Sequence, residues 1–144
     1  MFGRDILISN CWGNQLILAN RHSGNRAIKL RDLINEKCSN NPQLAPKLTA
    51  EETFELLSSI NESMTGDWFL DSADQTISRK FEFKNYYQAM AFANSCAWIA
   101  HQNDHHPDMT VTYRHCHFSF TTHSVDGLSI NDFICAAKIN ALLT

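Results

Sequence analysis

Residues 85–123 read NYYQAMAFANSCAWIAHQNDHHPDMTVTYRHCHFSFTTH, and their hydrophobic pattern changes period halfway along. Up to residue 100, small and apolar side chains recur at helical spacing, which predicts a wide buried face. The residues of this face are Met90, Phe92, Ala93, Cys96, Ala97, Ile99 and Ala100. Asn85 can cap the helix, and Pro107 ends it. From 111 to 122 apolar and polar residues alternate, as is typical of a half-buried strand.

The alternating stretch has one apolar and one polar face. Cys116, Phe118 and Phe120 share the apolar face. The polar face carries His115, His117, Ser119, Thr121 and, just beyond, His123. One long strand and a tight hairpin both fit this pattern.

Similar patterns on either side complete the predicted domain. Thr49 and Glu52 form a capping box before a helix whose predicted apolar stripe is Phe54, Leu57 and Ile60. Residues 68–70 and 76–83 read as two strands around a polar turn. Ser129 and Asp132 form another capping box before a last apolar helix.

The order helix-strand-strand-helix-strand-strand-helix predicts an α+β fold, with an antiparallel four-stranded sheet and helices packed on one face. Residues 48–144 form this predicted domain. Residues 1–47 lack a sustained period and are treated as an N-terminal extension of uncertain order. Within it, 6–8 and 15–18 fit short strands, 28–37 a short helix and 40–46 a linker.

The composition excludes several classes of protein. The chain has 144 residues, 44% of them hydrophobic, and a net charge of −3 without runs of like charge. Such a composition predicts a folded core and offers no support for nucleic-acid binding. No apolar run is long enough for a membrane helix, and the N-terminus lacks the apolar core of a signal peptide. The five cysteines include no Cys-x-x-Cys, so we expect reduced thiols in a cytoplasmic protein.

Six of the seven histidines lie between residues 101 and 123. Pro107 disfavours a helical conformation for His106, while His105 is expected at the end of the helix. The two rings would then point in different directions around one cavity, which His123 completes if the following strand runs back beside the helix. Imidazole titrates near neutral pH, so this trio can supply both a proton donor and a proton acceptor.

A metal site is the rival explanation for the cluster. His101 and His105 are four residues apart on a helix, and His115 and His117 share a strand face. The chain contains neither His-Glu-x-x-His nor a cysteine pair. We therefore expect no metal and no other cofactor.

The pattern of these motifs resembles the pterin-4a-carbinolamine dehydratases, also called 4a-hydroxytetrahydrobiopterin dehydratases. The matching residues are His101, His105-His106-Pro107, Tyr113, Thr122-His123, Gly127-Leu128-Ser129 and Asp132, with Trp68 and the stretches 48–52 and 81–84 upstream. The resemblance covers about 48–144. It departs at His101, where the family often has Glu, and at 108–110, where many members have an acidic residue and two aromatics.

The resemblance implies a lyase that removes water from 4a-hydroxytetrahydrobiopterin without a metal, giving quinonoid dihydropterin. By position, His105, His106 and His123 are the catalytic residues, with His106 and His123 transferring protons and His105 holding the pterin. The resemblance also implies four substrate-binding residues. Asp104 would orient one imidazole, Trp68 would line the site and Asp132 would lie near its rim. His101 is the fourth residue. Trp68 fits a core anchor equally well, Asp104 fits a cap or an ion pair, and Asp132 fits a cap partner of Ser129.

The same resemblance implies a homodimer or homotetramer, with the sheet extended across the dimer. It also implies an aromatic amino acid hydroxylase in the same pathway, whose tetrahydrobiopterin the enzyme would help to recycle. Neither direct nucleic-acid binding nor a membrane partner is expected. The alternative is a non-enzymatic protein-binding or dimerisation cofactor on the same fold, because fold alone does not determine function.

Overall fold

The structure is a computed structural model that describes residues 30–62, 67–73 and 75–143. The short strands predicted at 6–8 and 15–18 lie outside these residues. The helices of the described part are α1 (Leu30–Asn35), α2 (Ala50–Asn61), α3 (Tyr86–Asn103) and α4 (Ile130–Ala141). The strands are β1 (Phe69–Asp71), β2 (Thr76–Glu82), β3 (Asp108–Val111) and β4 (His115–Phe120), and a single 3₁₀ turn covers His123–Val125.

The four strands form one antiparallel sheet in the order β1-β2-β4-β3. The alternating stretch from 111 is therefore part of a hairpin, in which Val111 pairs with Cys116. The backbone N–H of Thr112 donates to the carbonyl of His115 at 2.8 Å and closes the turn. The predicted α+β fold with a four-stranded antiparallel sheet is confirmed.

One face of the sheet forms the core together with the helices. Cys116, Phe118 and Phe120 of β4 are buried, whereas His117 on the opposite face is exposed. This confirms the predicted division of β4 into two faces. α4 contacts α1, α2 and α3, and its residues 130–137 are all buried. No helix in the described residues combines the length and apolar character needed to cross a membrane.

The buried faces of α2 and α3 differ from the predicted ones. Phe54 is 70% exposed, and α2 instead buries Thr53, Leu56 and Ile60. These three recur at helical spacing, so the true face is rotated by about one residue from the predicted stripe. On α3, Ala97 is exposed, although most of the predicted face is buried or half-buried. Alanine exposes little apolar surface, so its position in a pattern is a weak guide to burial.

Residues 30–47, from the predicted extension, pack against the rest of the chain. α1 lies on α4, Leu33 is fully buried, and Ala45 in the predicted linker is 2% exposed. The backbone of Ser39 makes two hydrogen bonds to the side chain of Asn131: its N–H donates to Oδ1 at 3.0 Å, and its carbonyl accepts from Nδ2 at 2.9 Å. We call residues 38–40 the N-terminal strap, because they run across the start of α4.

Candidate active site

A pocket of about 330 Å³ lies where the end of α3, the segment after β4 and the N-terminal strap meet. Its volume falls within the range typical of small-molecule sites. The lining residues are mostly polar: Ser39, Asn40, Asp104, His105, His106, Thr121, Thr122, His123, Ser124 and Asn131. The structure thus brings His105, His106 and His123 to one cavity, as their spacing predicts.

The end of α3 determines where His105 and His106 lie. Asp104 caps the helix in the left-handed conformation, with φ 48°, and its N–H donates to carbonyls of the last turn. The N–H of His105 donates to the carbonyl of Ala100 at 3.2 Å, which closes the helix end. His105 is consequently turned inward and half-buried, while His106, directly before Pro107, is exposed at the pocket.

A buried carboxylate holds the ring of His105 in place. Nε2 of the ring lies 2.7 Å from Oδ1 of Asp132, and the side chains are 11% and 0% exposed, respectively. The imidazole also stacks on the buried ring of Phe120, with centroids 5.8 Å apart and an interplanar angle of 13°. These two contacts restrict both the tilt and the rotation of the His105 ring.

The second carboxylate oxygen of Asp132, Oδ2, accepts two hydrogen bonds from residues that precede α4. Oδ2 accepts from the backbone N–H of Ser129 and from the hydroxyl of Thr122, each at 2.8 Å. The Thr122 hydroxyl in turn lies 2.8 Å from that of Ser129. Asp132 is therefore both the capping-box partner of Ser129 and the carboxylate that holds His105. It lies beneath the pocket rather than at the rim where the sequence placed it.

The contact with Asp132 occupies one ring nitrogen of His105. Nε2 faces Oδ1 of Asp132, and an ionised carboxylate only accepts hydrogen bonds, so Nε2 is the donor whenever Asp132 is charged. The other ring nitrogen, Nδ1, has no hydrogen-bond partner among the described residues, and it is not sealed from solvent. Nδ1 is thus the nitrogen that His105 offers to a molecule in the pocket.

His123 lines the same pocket from a different segment of the chain. It follows β4 and begins the 3₁₀ turn, and it is exposed. Thr122 and Gly127 pair across this turn, which brings the chain back towards α4. The pocket therefore has one anchored histidine, His105, and two exposed ones, His106 and His123.

Asp104 contacts the N-terminal strap. Its Oδ2 accepts from Nδ2 of Asn40 at 2.6 Å. The resemblance implied that Asp104 orients an imidazole, but in the structure Asp132 contacts the imidazole of His105 and Asp104 accepts from Asn40. Sequence reasoning missed the pocket residues Ser39, Asn40 and Asn131. No local pattern marks them, since the hydrogen bonds between Ser39 and Asn131 join residues 92 positions apart.

Trp68 does not line this pocket. Its side chain is 1% exposed, and its Nε1–H donates to Oδ1 of Asn140 at 2.9 Å. The same oxygen accepts from Nη1 of Arg79 at 2.8 Å, and burial lowers the pKa of this guanidinium while Asp67 opposes the shift. The structure thus gives Trp68 the position of a core anchor. Its contact with a substrate stays a prediction.

His101 and the histidines of the sheet also lie apart from the pocket. His101 is exposed on α3 and packs against the ring of Trp98, with centroids 5.4 Å apart. His115 approaches Glu82 on the open face of the sheet, 3.9 Å from Oε1. Within 30–62, 67–73 and 75–143, no three His, Cys, Asp or Glu side chains form a group that could hold a metal ion.

Comparison with known proteins places the chain among pterin dehydratases. The family model described as pterin 4 alpha carbinolamine dehydratase matches residues 46–142. A protein of Nitrosomonas eutropha, provisionally named a pterin-4-alpha-carbinolamine dehydratase, is 51% identical over 112 residues, covering 78% of this chain and 94% of that protein. A protein of Legionella pneumophila with the same provisional name is 43% identical over 112 residues, covering 78% of this chain and 96% of that protein.

A solved structure supports the same relationship. The crystal structure of a transcriptional coactivator/pterin dehydratase from Brucella melitensis superposes with a TM-score of 0.60 at 31% sequence identity. The match covers 68% of this chain and 99% of that one. Sequence and fold agree, and the chain belongs to the pterin 4 alpha carbinolamine dehydratase family.

Proposed function

We propose that this protein is a 4a-hydroxytetrahydrobiopterin dehydratase that converts pterin-4a-carbinolamine to quinonoid dihydropterin by histidine acid/base catalysis. The observation that carries the proposal is the convergence of His105, His106 and His123 on one pocket, with His105 held by Asp132. Membership of a dehydratase family supports the reaction class.

The reaction requires two proton transfers. The bond between C4a and the hydroxyl oxygen breaks, and that oxygen takes up a proton and leaves as water. N5 loses its proton, and the electron pair of its N–H bond forms the double bond between N5 and C4a. One group must therefore act as an acid near the hydroxyl and another as a base near N5.

His106 and His123 are the residues to which we assign these transfers. Both are exposed at the pocket, so each can exchange protons with water between turnovers. They reach the pocket from different segments of the chain, and the proposal assigns each of them to a different part of the bound ring. One donates to the leaving hydroxyl and the other accepts from N5.

His105 holds the pterin in this proposal. Its Nε2 is committed to Asp132 and its ring is stacked on Phe120, so the accessible Nδ1 has a defined direction. A fixed polar atom of this kind is suited to orient a substrate. Asp104 and Asn40, joined to each other on the neighbouring wall, shape the pocket beside it. Neither Trp68 nor His101 lines the pocket, so their contacts with the pterin stay predictions from the resemblance.

A dehydratase assay tests the proposal. The 4a-hydroxy-tetrahydropterin is generated in situ, and quinonoid dihydropterin is followed by absorbance with and without a chelator. We expect acceleration over the spontaneous rate that survives the chelator. His106→Ala and His123→Ala should each lower kcat by about 100- to 10,000-fold.

His117→Ala is the matched control, because this histidine is exposed on the open face of β4, outside the pocket. It should retain activity within about twofold. Full activity in both pocket variants, or an equal loss in His117→Ala, would contradict the assignment.

Protein binding on the same fold is the second candidate function. It is favoured by the solved relative, which is described as a transcriptional coactivator as well as a pterin dehydratase. If the assay shows only the spontaneous rate while the protein is folded, this candidate leads. Binding of a protein partner that is unchanged by His106→Ala would indicate a surface separate from the pocket.

Three further properties belong to the proposal. We expect a homodimer or homotetramer, which light scattering coupled to size-exclusion chromatography measures directly. An aromatic amino acid hydroxylase would supply the substrate, so the dehydratase would support tetrahydrobiopterin recycling. A cytoplasmic location agrees with the four free cysteines of the described residues.

A further inference from the structure

The N-terminal strap carries a cysteine that touches a second cysteine in the core. Sγ of Cys38 lies 3.6 Å from Sγ of Cys135, although the two residues are 97 positions apart. Cys38 is half-buried, and Cys135 on α4 is fully buried. Both are free thiols, and the acid/base chemistry of the pocket uses neither.

We propose that Cys38 and Cys135 are a redox pair that a peroxide closes to a disulfide, fastening the N-terminal strap covalently to α4. A disulfide has a sulfur–sulfur distance of about 2.05 Å, so the two atoms must approach by roughly 1.5 Å. Cys38 lies outside regular secondary structure and α4 is buried, so the strap is the part that moves.

The two cysteines differ in their accessibility and in their chemistry. A hydrogen bond with Cys38 and burial together raise the pKa of Cys135, which therefore stays a thiol. Exposure determines which cysteine meets an oxidant first, and it favours the half-buried Cys38 over the fully buried Cys135. Cys135 then serves as the resolving cysteine.

The oxidation balances with one hydroperoxide. The Cys38 thiolate attacks one oxygen of hydrogen peroxide, and the O–O bond breaks. The attacked oxygen stays on sulfur as Cys38 sulfenic acid, and the other oxygen leaves as hydroxide, which takes up a proton to give water. The sulfur of Cys135 then attacks the Cys38 sulfur and displaces hydroxide, which leaves as water with the Cys135 proton. Two electrons pass from the two thiols to the peroxide.

The strap also forms a wall of the pocket, which gives the disulfide a structural consequence. Ser39 and Asn40, next to Cys38, line the pocket, and Asn40 is bonded to Asp104. Cys135, the partner of Cys38, lies close to the backbone of a pocket residue: its Sγ is 3.9 Å from the carbonyl oxygen of His105. Closing the pair therefore restrains the pocket wall that Ser39 and Asn40 form beside His105.

The chain contains an internal control for this chemistry. Cys96 and Cys116 are also free but fully buried, and burial raises the pKa of Cys96 to about 12. Peroxide should leave both reduced under conditions that oxidise Cys38. Cys11 lies outside the described residues, so the experiment uses a Cys11→Ser background.

The test treats the reduced Cys11→Ser protein with hydrogen peroxide and follows free thiols, peptide masses and Tm. We expect the four thiols of the described residues to fall to two. A cross-linked peptide should join Cys38 to Cys135, and a dithiol reductant should release it. Because the disulfide closes a long loop, Tm should rise by about 5 °C or more. Hydrogen exchange of the Ser39 amide should slow on oxidation.

Two variants separate the disulfide from simple oxidation. Adding Cys38→Ser should abolish thiol loss, and adding Cys135→Ala should let Cys38 proceed to sulfinic acid without a cross-link. The proposal is overturned if the Cys11→Ser protein yields sulfinic acid at Cys38 without the cross-link, links two chains instead, or keeps all its thiols. None of these readouts uses pterin, so they are independent of the dehydratase assay.

Discussion

Asp132 and Asn140 are buried polar side chains at the two ends of α4, and they belong to different hydrogen-bond networks. Asp132 in the first turn is 0% exposed, and Asn140 in the last turn is 1% exposed. Each makes at least three hydrogen bonds. Two polar groups of similar burial on one helix therefore permit a direct comparison.

The network at Asn140 is closed within the core. Its Oδ1 accepts from Trp68 and Arg79, and its Nδ2 donates to the carbonyl of Ile60 at 2.9 Å. The bonds join α2, β2 and the residue directly before β1 to α4. Such a network stabilises one arrangement of these elements, and none of its residues lines the histidine pocket.

The network at Asp132 ends on a side chain that reaches solvent. Thr122 and Ser129 occupy one carboxylate oxygen, and His105 occupies the other while its Nδ1 remains accessible. The comparison teaches that burial of a polar residue does not by itself indicate function. The useful criterion is whether the network connects to a titratable group at a pocket.

Asn140→Ala should give the largest loss of stability. It removes the acceptor of Trp68 Nε1–H and of one Arg79 bond, and leaves the Ile60 carbonyl without that donor. We expect the free energy of unfolding to fall by about 3 kcal/mol, as measured by urea denaturation. The activity of the folded fraction should stay within about twofold. If Asn140→Ala kept its stability but lost most of its kcat, the assignment of a structural role to Asn140 would be wrong.

Among the substitutions that compare the two ends of α4, Asp132→Asn should cause the largest loss of activity, with a modest loss of stability. The backbone N–H of Ser129 requires an acceptor, so the new amide NH₂ must face His105. His105 must then accept at Nε2 and carry its proton at Nδ1, which inverts the tautomer. We expect kcat to fall by about 100-fold and the free energy of unfolding by about 1–2 kcal/mol.

Steady-state kinetics and urea denaturation of the same preparation separate these two effects of Asp132→Asn. A variant with wild-type kcat would show that the contact with His105 serves only the fold. Asn140→Ala is the comparison protein, since it alters the same helix without touching the pocket.

Thr122→Val tests how far the functional network extends. The substitution keeps the shape but removes the hydroxyl that joins Asp132 to Ser129. The carboxylate keeps the Ser129 N–H and His105, so we expect kcat to fall only about threefold and stability by about 1 kcal/mol. A loss of kcat as large as that of Asp132→Asn would extend the positioning role to Thr122.

Lys138→Met should have the smallest effect. Lys138 lies between the two networks on α4, half-buried, and its Nζ donates to Oδ1 of Asn103 at 2.9 Å. We expect thermal or urea denaturation to show a loss of about 0.5–1 kcal/mol with unchanged kcat. A change in kcat would mean that Lys138, in the last turn of α4, is coupled to the pocket.

Much of the fold follows from patterns within short segments. The period change around Pro107, the capping boxes at Thr49 and Ser129, and the alternation in β4 all correspond to observed elements. Helix faces were harder to predict. Phe54 on α2 is exposed because the packing of the helix against its neighbours decides which side turns inward.

By itself, the sequence determined the α+β order of elements and the grouping of three histidines, because caps, proline and hydrophobic period act through neighbouring residues. Only the tertiary structure decided that Asp132 rather than Asp104 holds an imidazole, that Trp68 lies in the core, and that Ser39 and Asn40 complete the pocket. Each of these depends on contacts between segments far apart in the chain, whose partners are selected by packing and leave no local pattern.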